Sequence, residues 1–289
     1  EEPVRLKSFA KVNLYLRVTG IVPNGYHSLY SVFQEITFHD VLTFTQASKF
    51  SISCSRDDLP CNDSNLCFKA YKVMQKYAPM GNNYSIYLEK NIPMGAGLGG
   101  GSSNAAAVLK FLNKAWDINF SERELIDIAK EICADAPFFI RGKTQIAKGI
   151  GDLLEPIQLP EKFVLLLVCP DIHVSTTWAY RELDLTIKDE TCKFSVLFDD
   201  KRIFWDLFEN QFETVVFPAY PEVGRVKKRL IDEGAQYAGL SGSGSTVFGV
   251  FKERKEAIKA NKCFDAFKTF ITLPIFWDKE KQNSGIVQR

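Results

Sequence analysis

Residues 93–104 read PMGAGLGGGSSN, with five glycines among the seven positions 95–101, and lead directly into AAAVLKFLNKAW at 105–116. Glycine at that density suits an anion cradle. A polyphosphate is held by several backbone N–H groups at close range, and any side chain larger than hydrogen stands in their way. The run that follows places Ala105, Val108, Leu109, Leu112, Ala115 and Trp116 on one helical face, with Ser102 or Ser103 as the expected N-cap. The loop is thus expected to end at a helix N-terminus, whose free amides and positive dipole end point at the anion.

Gly95, Gly97 and Gly100 also satisfy a GxGxxG spacing, so a dinucleotide-binding turn competes for the same letters. That turn follows a continuously apolar parallel strand, whereas YSIYLEK at 84–90 alternates, with Ile86 and Leu88 opposed to Ser85, Tyr87 and Glu89. Alternation predicts a half-buried antiparallel strand. A Walker A loop needs Lys and then Ser or Thr after its last glycine, and here Gly100 is followed by Gly101. A plain Gly/Ser linker does not usually lead into a patterned amphipathic helix.

Size and composition set the frame around this loop. A chain of 289 residues predicts two domains of roughly 130 to 150 residues each. The net charge of +1 is dispersed, without a run of five like charges, which argues against nucleic-acid binding through a basic face as the main function. Seven cysteines, at 54, 61, 67, 133, 169, 192 and 263, form no CxxC pair. An odd count without that spacing points away from a disulfide framework or zinc site and toward a reducing, cytoplasmic setting. The longest apolar run, FVLLLVC at 163–169, is far short of a membrane span, so a soluble protein with no membrane partner is expected. A chain that opens on Glu1 is expected to have lost an initiator methionine or to have been trimmed.

Upstream of the loop, residues 7–18 alternate. Ala10, Val12, Leu14, Leu16 and Val18 share one face, and Phe9, Lys11, Asn13, Tyr15 and Arg17 the other. Lys11 and Asn13 should therefore project side by side. Pro23, Asn24 and Gly25 predict a turn, and VFQEITFHDVLTF a further strand. DSNLCFKAYKVMQKY (63–77) predicts a capped helix, and SERELIDIAKEIC (121–133) a second, opened by a Ser121–Glu124 capping box. Downstream, TQIAKGIGDLLEPI returns to extended structure, Pro156 and Pro160 mark a boundary, and FVLLLVCP reads as a buried strand. Residues 183–193 are polar and predict a surface excursion. PEVGRVKKRLIDEGA sets Val223, Val226, Leu230 and Ile231 at helical spacing before Gly234, and GLSGSGSTVFGVF is a second Gly-rich turn feeding a strand.

Taken in order, AKVNLYL (10–16) with NGYHSLYSVFQ (24–34), IPMGAGLGGGSSNAAA (92–107), CADAPFFIRGKTQIAKGIG (133–151), VSTTWAY (174–180) and GLSGSGSTVF (239–248) resemble the GHMP small-molecule kinase superfamily. The resemblance spans nearly the whole chain. It implies an α+β protein of two domains: an N-terminal domain of the ribosomal protein S5 domain 2-like type (1–157) and a ferredoxin-like C-terminal domain (158–289). ATP and the substrate would meet in the cleft between them.

The closest branch of the superfamily implies ATP-dependent phosphorylation of the 2-hydroxyl of a diphosphocytidylated methylerythritol, in non-mevalonate isoprenoid biosynthesis. By the same resemblance Asp135 accepts the hydroxyl proton, and Lys11 beside it polarises the hydroxyl or the γ-phosphate. Pro93, Met94, Gly95, Ala96, Gly97, Leu98, Gly99, Gly100, Gly101, Ser102 and Ser103 would cradle ATP, with Asn65 and Lys90 near the nucleotide. Ser102 or Ser103 would be available to Mg²⁺. Tyr26 and Tyr180 would sandwich the cytosine, His27 would bond its polar edge, and Asn13, Thr176, Gly242 and Gly244 would lie close to the substrate. Trp178 is bulkier than the pattern asks. A monomer or homodimer acting on a small molecule with a cytidine diphosphate moiety is expected.

Besides the dinucleotide-binding reading of the loop, an NAD-dependent dehydrogenase, two rival readings fit the same residues. One is another GHMP kinase, acting on mevalonate, phosphomevalonate or homoserine and having no use for a cytosine clamp. The other is a catalytically silent binding protein, which would not need both Lys11 and Asp135. Asp135 before Ala136 and Pro137 is also a natural helix N-cap.

Overall fold

A computed structural model describes residues 2–23, 25–183 and 194–277; Asn24 of the expected turn and residues 184–193 of the expected surface excursion lie outside them. Two long strands, β1 (Val4–Ile21) and β2 (His27–Gln46), form an antiparallel pair that runs the length of the first sheet. β3 (Ser51–Cys54), α1 (Leu66–Gln75) and β4 (Tyr84–Glu89) follow, then α2 (Gly100–Ala115), α3 (Glu122–Lys130) and α4 (Ala136–Arg141). The hairpin β5 (Thr144–Lys148) and β6 (Leu153–Pro156) closes this sheet, whose order is β3-β4-β2-β5-β6 with β1 also on β2. β4 is antiparallel to β2, as its alternation predicts, and parallel to β3 on its other edge.

The second sheet holds β7 (Val164–Cys169), β8 (Tyr237–Leu240), β9 (Val247–Phe251) and β10 (Lys268–Thr272) in the order β10-β7-β9-β8. Helices α5 (Thr176–Glu182), α6 (Glu213–Ala219) and α7 (Pro221–Asp232) connect β7 to β8, and α8 (Arg254–Asn261) connects β9 to β10. Strand, helices, two strands, helix, strand in a fourth-first-third-second order is the ferredoxin-like pattern.

Alternation along the strands builds four layers. Leu42, Phe44, Ile86 and Leu88 face α1 and α2 in one core. Ala10, Val12, Leu14, Val32 and Ile36 face Leu165, Leu167, Phe248 and Val250 in a second core, so the two sheets pack against each other. Val164, Leu166 and Val168 face α6 and α7 in a third.

Two expectations about faces change. A bulge in β1 pairs Asn13 with Phe33 and Tyr15 with Val32, leaving Leu14 as the extra residue. One extra residue reverses the side-chain alternation beyond it. Tyr15 consequently joins the core with Val12 and Leu14, while Leu16 lines a cleft with Lys11 and Asn13. In α7 the buried positions are Val223, Val226 and Leu230, and Ile231 is exposed.

Candidate active site

The Gly-rich loop is gripped from both halves of the chain. Lys11 N–H of β1 donates to Leu98 O at 3.0 Å, and Thr246 N–H, one residue before β9, donates to Ala96 O. Ser241 Oγ donates to Gly97 O at 2.8 Å. Gly97 has φ +81, and a Cβ there would stand 2.0 Å from Ser241 O, so only glycine lets the loop lie on the 241–245 turn. Asn210, buried at the end of the chain's approach to α6, donates to Leu240 O and Gly242 O and pins that turn from behind.

Helix α2 begins earlier than the serines suggest. Gly99, with φ +68, is the N-cap, and no side chain caps the helix. The amides of Gly100, Gly101 and Ser102 therefore belong to the first turn, without intrahelical acceptors. Ser102 faces the site, where its Oγ accepts from the Cys133 thiol at 3.3 Å. Ser103 is turned inward, buried, and accepts from Ser8 Oγ at 2.8 Å.

Asn65, Lys90 and the run Pro93–Ser102 line one cavity of about 420 Å³. Asn65 is the N-cap of α1, accepting from Cys67 N–H and donating to Pro60 O. The Lys90 side chain is buried and donates to Asp40 Oδ2 at 2.5 Å beneath Gly100. Asp40 also accepts from the amides of Asn91 and Ile92 and from Asn104 Nδ2. The carboxylate thus fixes the chain that enters the loop. Neither Asp40 nor Asn210 stands out in the sequence, because each acts through backbone bonds that no local pattern announces.

A second cavity, of about 360 Å³, shares Gly97, Gly99 and Ser102 with the first and adds Lys11, Asn13, Cys133, Asp135, Thr176, Tyr180, Gly242 and Ser243. Lys11 Nζ donates to Asn13 Oδ1 at 2.5 Å and lies 3.7 Å from Asp135 Oδ2, over the Phe33 ring. Burial lowers the Lys11 pKa, and the Asp135 carboxylate opposes that shift. Asp135 occupies the N-cap position of α4 yet caps nothing.

A third cavity, of about 1010 Å³, shares Ala134, Thr176 and Tyr180 with the second and adds Tyr26 and His27. Here the His27 ring, not that of Tyr26, is stacked on Tyr180, with centroids 4.4 Å apart. Burial lowers the His27 pKa and lifts the Tyr180 phenol to about 12, the Asp135 charge adding to the latter. Thr176 Oγ1 and Ser243 Oγ share a hydrogen bond of 2.8 Å that ties α5 to the late turn. Gly244 does not reach either wall of the cleft; its carbonyl faces Gly97. Trp178 turns away and packs edge-on against Tyr220.

The three cavities join end to end: a glycine cradle, a buried lysine beside a carboxylate, and an aromatic slot. Two family models match the chain, GHMP kinases N terminal domain at residues 65–143 and GHMP kinases C terminal at 199–267. The chain belongs to the GHMP kinases.

Within that family the chain is similar to 4-diphosphocytidyl-2-C-methyl-D-erythritol kinase. The protein of that name from Chlorobium phaeobacteroides is 42% identical over 288 residues, covering 94% of this chain and 98% of the relative. That from Pelodictyon phaeoclathratiforme is 40% identical over 281 residues, covering 95% and 98%. A solved structure of 4-(cytidine 5'-diphospho)-2C-methyl-D-erythritol kinase superposes with a TM-score of 0.82 at 28% identity, covering 94% of this chain and all of that one. A homoserine kinase from Cytophaga hutchinsonii, at 18% identity and a TM-score of 0.67, shares the fold. No helix among the described residues is long and apolar enough to cross a membrane.

Proposed function

We infer that the chain transfers the γ-phosphoryl group of ATP to the 2-hydroxyl of 4-diphosphocytidyl-2-C-methyl-D-erythritol, in the non-mevalonate route to isoprenoids. The observation that carries the site assignment is the Lys11–Asp135 pair, placed where the glycine cradle opens into the aromatic slot.

The substrate oxygen attacks the γ-phosphorus while the bond to the β,γ-bridging oxygen breaks, and ADP leaves with that electron pair. Asp135 receives the hydroxyl proton. Lys11 meets the charge that gathers on the migrating phosphoryl group, in a buried setting where water does not dilute its field. Amides from the Gly-rich loop and the first turn of α2 hold the phosphates. Tyr180 offers a ring face to the cytosine, and Thr176 and Gly242 line the path of the diphosphate and the polyol.

Among the described residues no cluster of three His, Cys, Asp or Glu forms a metal cage. The Ser102 hydroxyl oxygen that lines the glycine cradle fits Mg²⁺, which keeps most of its waters and leans on nucleotide phosphates. Ser102 Oγ, facing the cradle, is the protein ligand we assign to it. When bound, Mg²⁺ neutralises charge on the phosphate oxygens. Ser103, buried against Ser8, is turned from this role.

The reading extends to a cytoplasmic enzyme working as a monomer or homodimer, with residues 1–157 and 158–289 as its two domains. ADP release with ATP and Mg²⁺ tests it, comparing the cytidylated substrate with methylerythritol phosphate, mevalonate and homoserine. Turnover confined to the cytidylated substrate is expected, and EDTA should abolish it. Turnover of mevalonate or homoserine alone would discard the substrate assignment, and silence with all four would discard catalysis.

A further inference from the structure

Lys11 carries three N–H donors, and its work depends on where each is aimed. One goes to Asn13 Oδ1. An asparagine amide can sit either way round in a pocket of this shape, and the wrong way would set its NH₂ against the ammonium. Something must hold it.

On the far side of Asn13, its Nδ2 donates to Ser31 Oγ at 2.9 Å. The Ser31 hydroxyl in turn donates to Tyr15 O at 2.7 Å. A hydroxyl has one proton, so a Ser31 committed to Tyr15 O can only accept from Asn13. The Asn13 NH₂ is therefore fixed toward Ser31, and its oxygen toward Lys11. Ser31 is fully buried, so no water competes for either bond. The bulge between Asn13 and Tyr15 belongs to the same device. It sets Tyr15 opposite Val32 and Leu16 opposite Ser31, so that the Ser31 hydroxyl reaches the Tyr15 carbonyl.

We propose that Ser31 is a positioning residue for the phosphoryl transfer, locking the Asn13 amide so that its oxygen orients the Lys11 ammonium toward Asp135 and the γ-phosphate. The inference rests on the role given to Lys11 above. Charged and titratable groups face Lys11 from two directions: Asp135 and Cys133 from the segment before α4, and Tyr180 from α5. From β2 it meets the Phe33 ring, and from the α2 N-terminus Gly99. The Asn13 oxygen is the neutral acceptor in that set, and its loss disfavours the charged form of Lys11.

The test compares Ser31→Ala, Ser31→Cys and Ser31→Thr in the full chain, assayed with ATP, Mg²⁺ and the cytidylated substrate across pH. Ser31→Cys keeps the shape of the side chain, slightly enlarged, and weakens the acceptor, so it carries the test should Ser31→Ala not fold. Both are expected to lower kcat about tenfold, the size of a lost bond to a charged group, with KM for ATP within about threefold of the parent. Both should also shift the alkaline limb of kcat to lower pH, and Ser31→Thr should restore rate and limb together. A parental kcat in Ser31→Ala and Ser31→Cys overturns the proposal, as does a loss with an unmoved alkaline limb, or one that Thr does not restore. Lys11→Met separates the two levels. If it is inactive while Ser31→Ala is parental, the lock alone fails; if it turns over normally, the role of Lys11 fails and takes the lock with it.

Discussion

The Asp135 carboxylate stands 3.7 Å from the Lys11 ammonium and makes no capping hydrogen bond, although Asp135 holds the N-cap position of α4. An aspartate there ordinarily accepts from the amide of the second or third helical residue, worth about 1 kcal/mol. Pro137 is the second helical residue and has no N–H to give. The Asp-Ala-Pro order thus removes one of the two amides that could compete with Lys11 for the carboxylate. Asp135→Asn is expected to lower kcat by roughly 10²-fold or more, the usual scale of a lost general base. No capping bond is lost, so whatever fall in melting temperature follows comes from the ion pair with Lys11 alone. A kcat reduced only a few-fold would reduce Asp135 to an electrostatic anchor.

Burial lowers the Lys11 pKa below 10.5 and Asp135 pulls it back up. Activity that needs the cation should therefore fall on an alkaline limb below 10.5, and Asp135→Asn should carry that limb to still lower pH. The stability consequence has a definite sign. Between the folded pKa and 10.5 the unfolded chain binds the extra proton, so this lysine's contribution to stability rises with pH across that window. Chemical denaturation at several pH values checks it. A Lys11→Met protein that gains stability over the same window as steeply as the parent would contradict the assignment.

Two glycines of one loop should respond oppositely to alanine. At Gly97 the new methyl would meet Ser241 O at 2.0 Å on a left-handed backbone, so Gly97→Ala has to push the loop off the late turn. We expect kcat/KM for ATP to drop by roughly 10²-fold, on the scale of a misplaced phosphate cradle. At Gly101, inside the first turn of α2, the methyl meets Leu66 Cδ1 at 3.4 Å, an ordinary contact. Gly101→Ala should raise stability by about 0.5 kcal/mol. Urea titration and ATP kinetics on both variants distinguish these outcomes, and a stable, fully active Gly97→Ala would remove the clamp from the argument.

Beneath the loop, the Lys90–Asp40 pair is wholly buried and Asp40 accepts four hydrogen bonds. Removing one partner of such a pair leaves a charge without compensation, at a cost of about 3 to 5 kcal/mol. Asp40→Asn should be destabilised to that extent in urea titration. A loss under about 1 kcal/mol would mean that Lys90 finds another acceptor.

The sequence carries local signals well and long-range ones poorly, and the differences can be traced to particular residues. The strand at 84–89, the Ser121–Glu124 capping box and the pairing of Lys11 with Asn13 all depend on neighbours within four positions, and the structure contains each of them. The α2 N-terminus carries no such local signal, since serines normally cap and Gly99 does so here through its left-handed backbone alone. Tyr15 and Leu16 exchange faces because a bulge depends on pairing with β2, which no stretch of β1 encodes by itself. Asp40, Ser31 and Asn210 are ordinary letters whose importance arises from partners far along the chain.

In the aromatic slot the His27 ring already occupies one face of Tyr180. A cytosine that stacks on that face has to displace the imidazole, and His27 then becomes free to bond the base edge. Two measurements follow from this single contact. Tyr180→Ala should weaken binding of the cytidylated substrate by about 1 to 3 kcal/mol, or roughly 5- to 150-fold, with KM for ATP unchanged. In the parent, the His27 ring protons lie over the Tyr180 ring and should resonate upfield; a saturating cytidine nucleotide should move them downfield as the stack opens. Binding that saturates while those resonances stay in place would put the base somewhere other than the Tyr180 face, and the clamp would then have to be rebuilt around Tyr26.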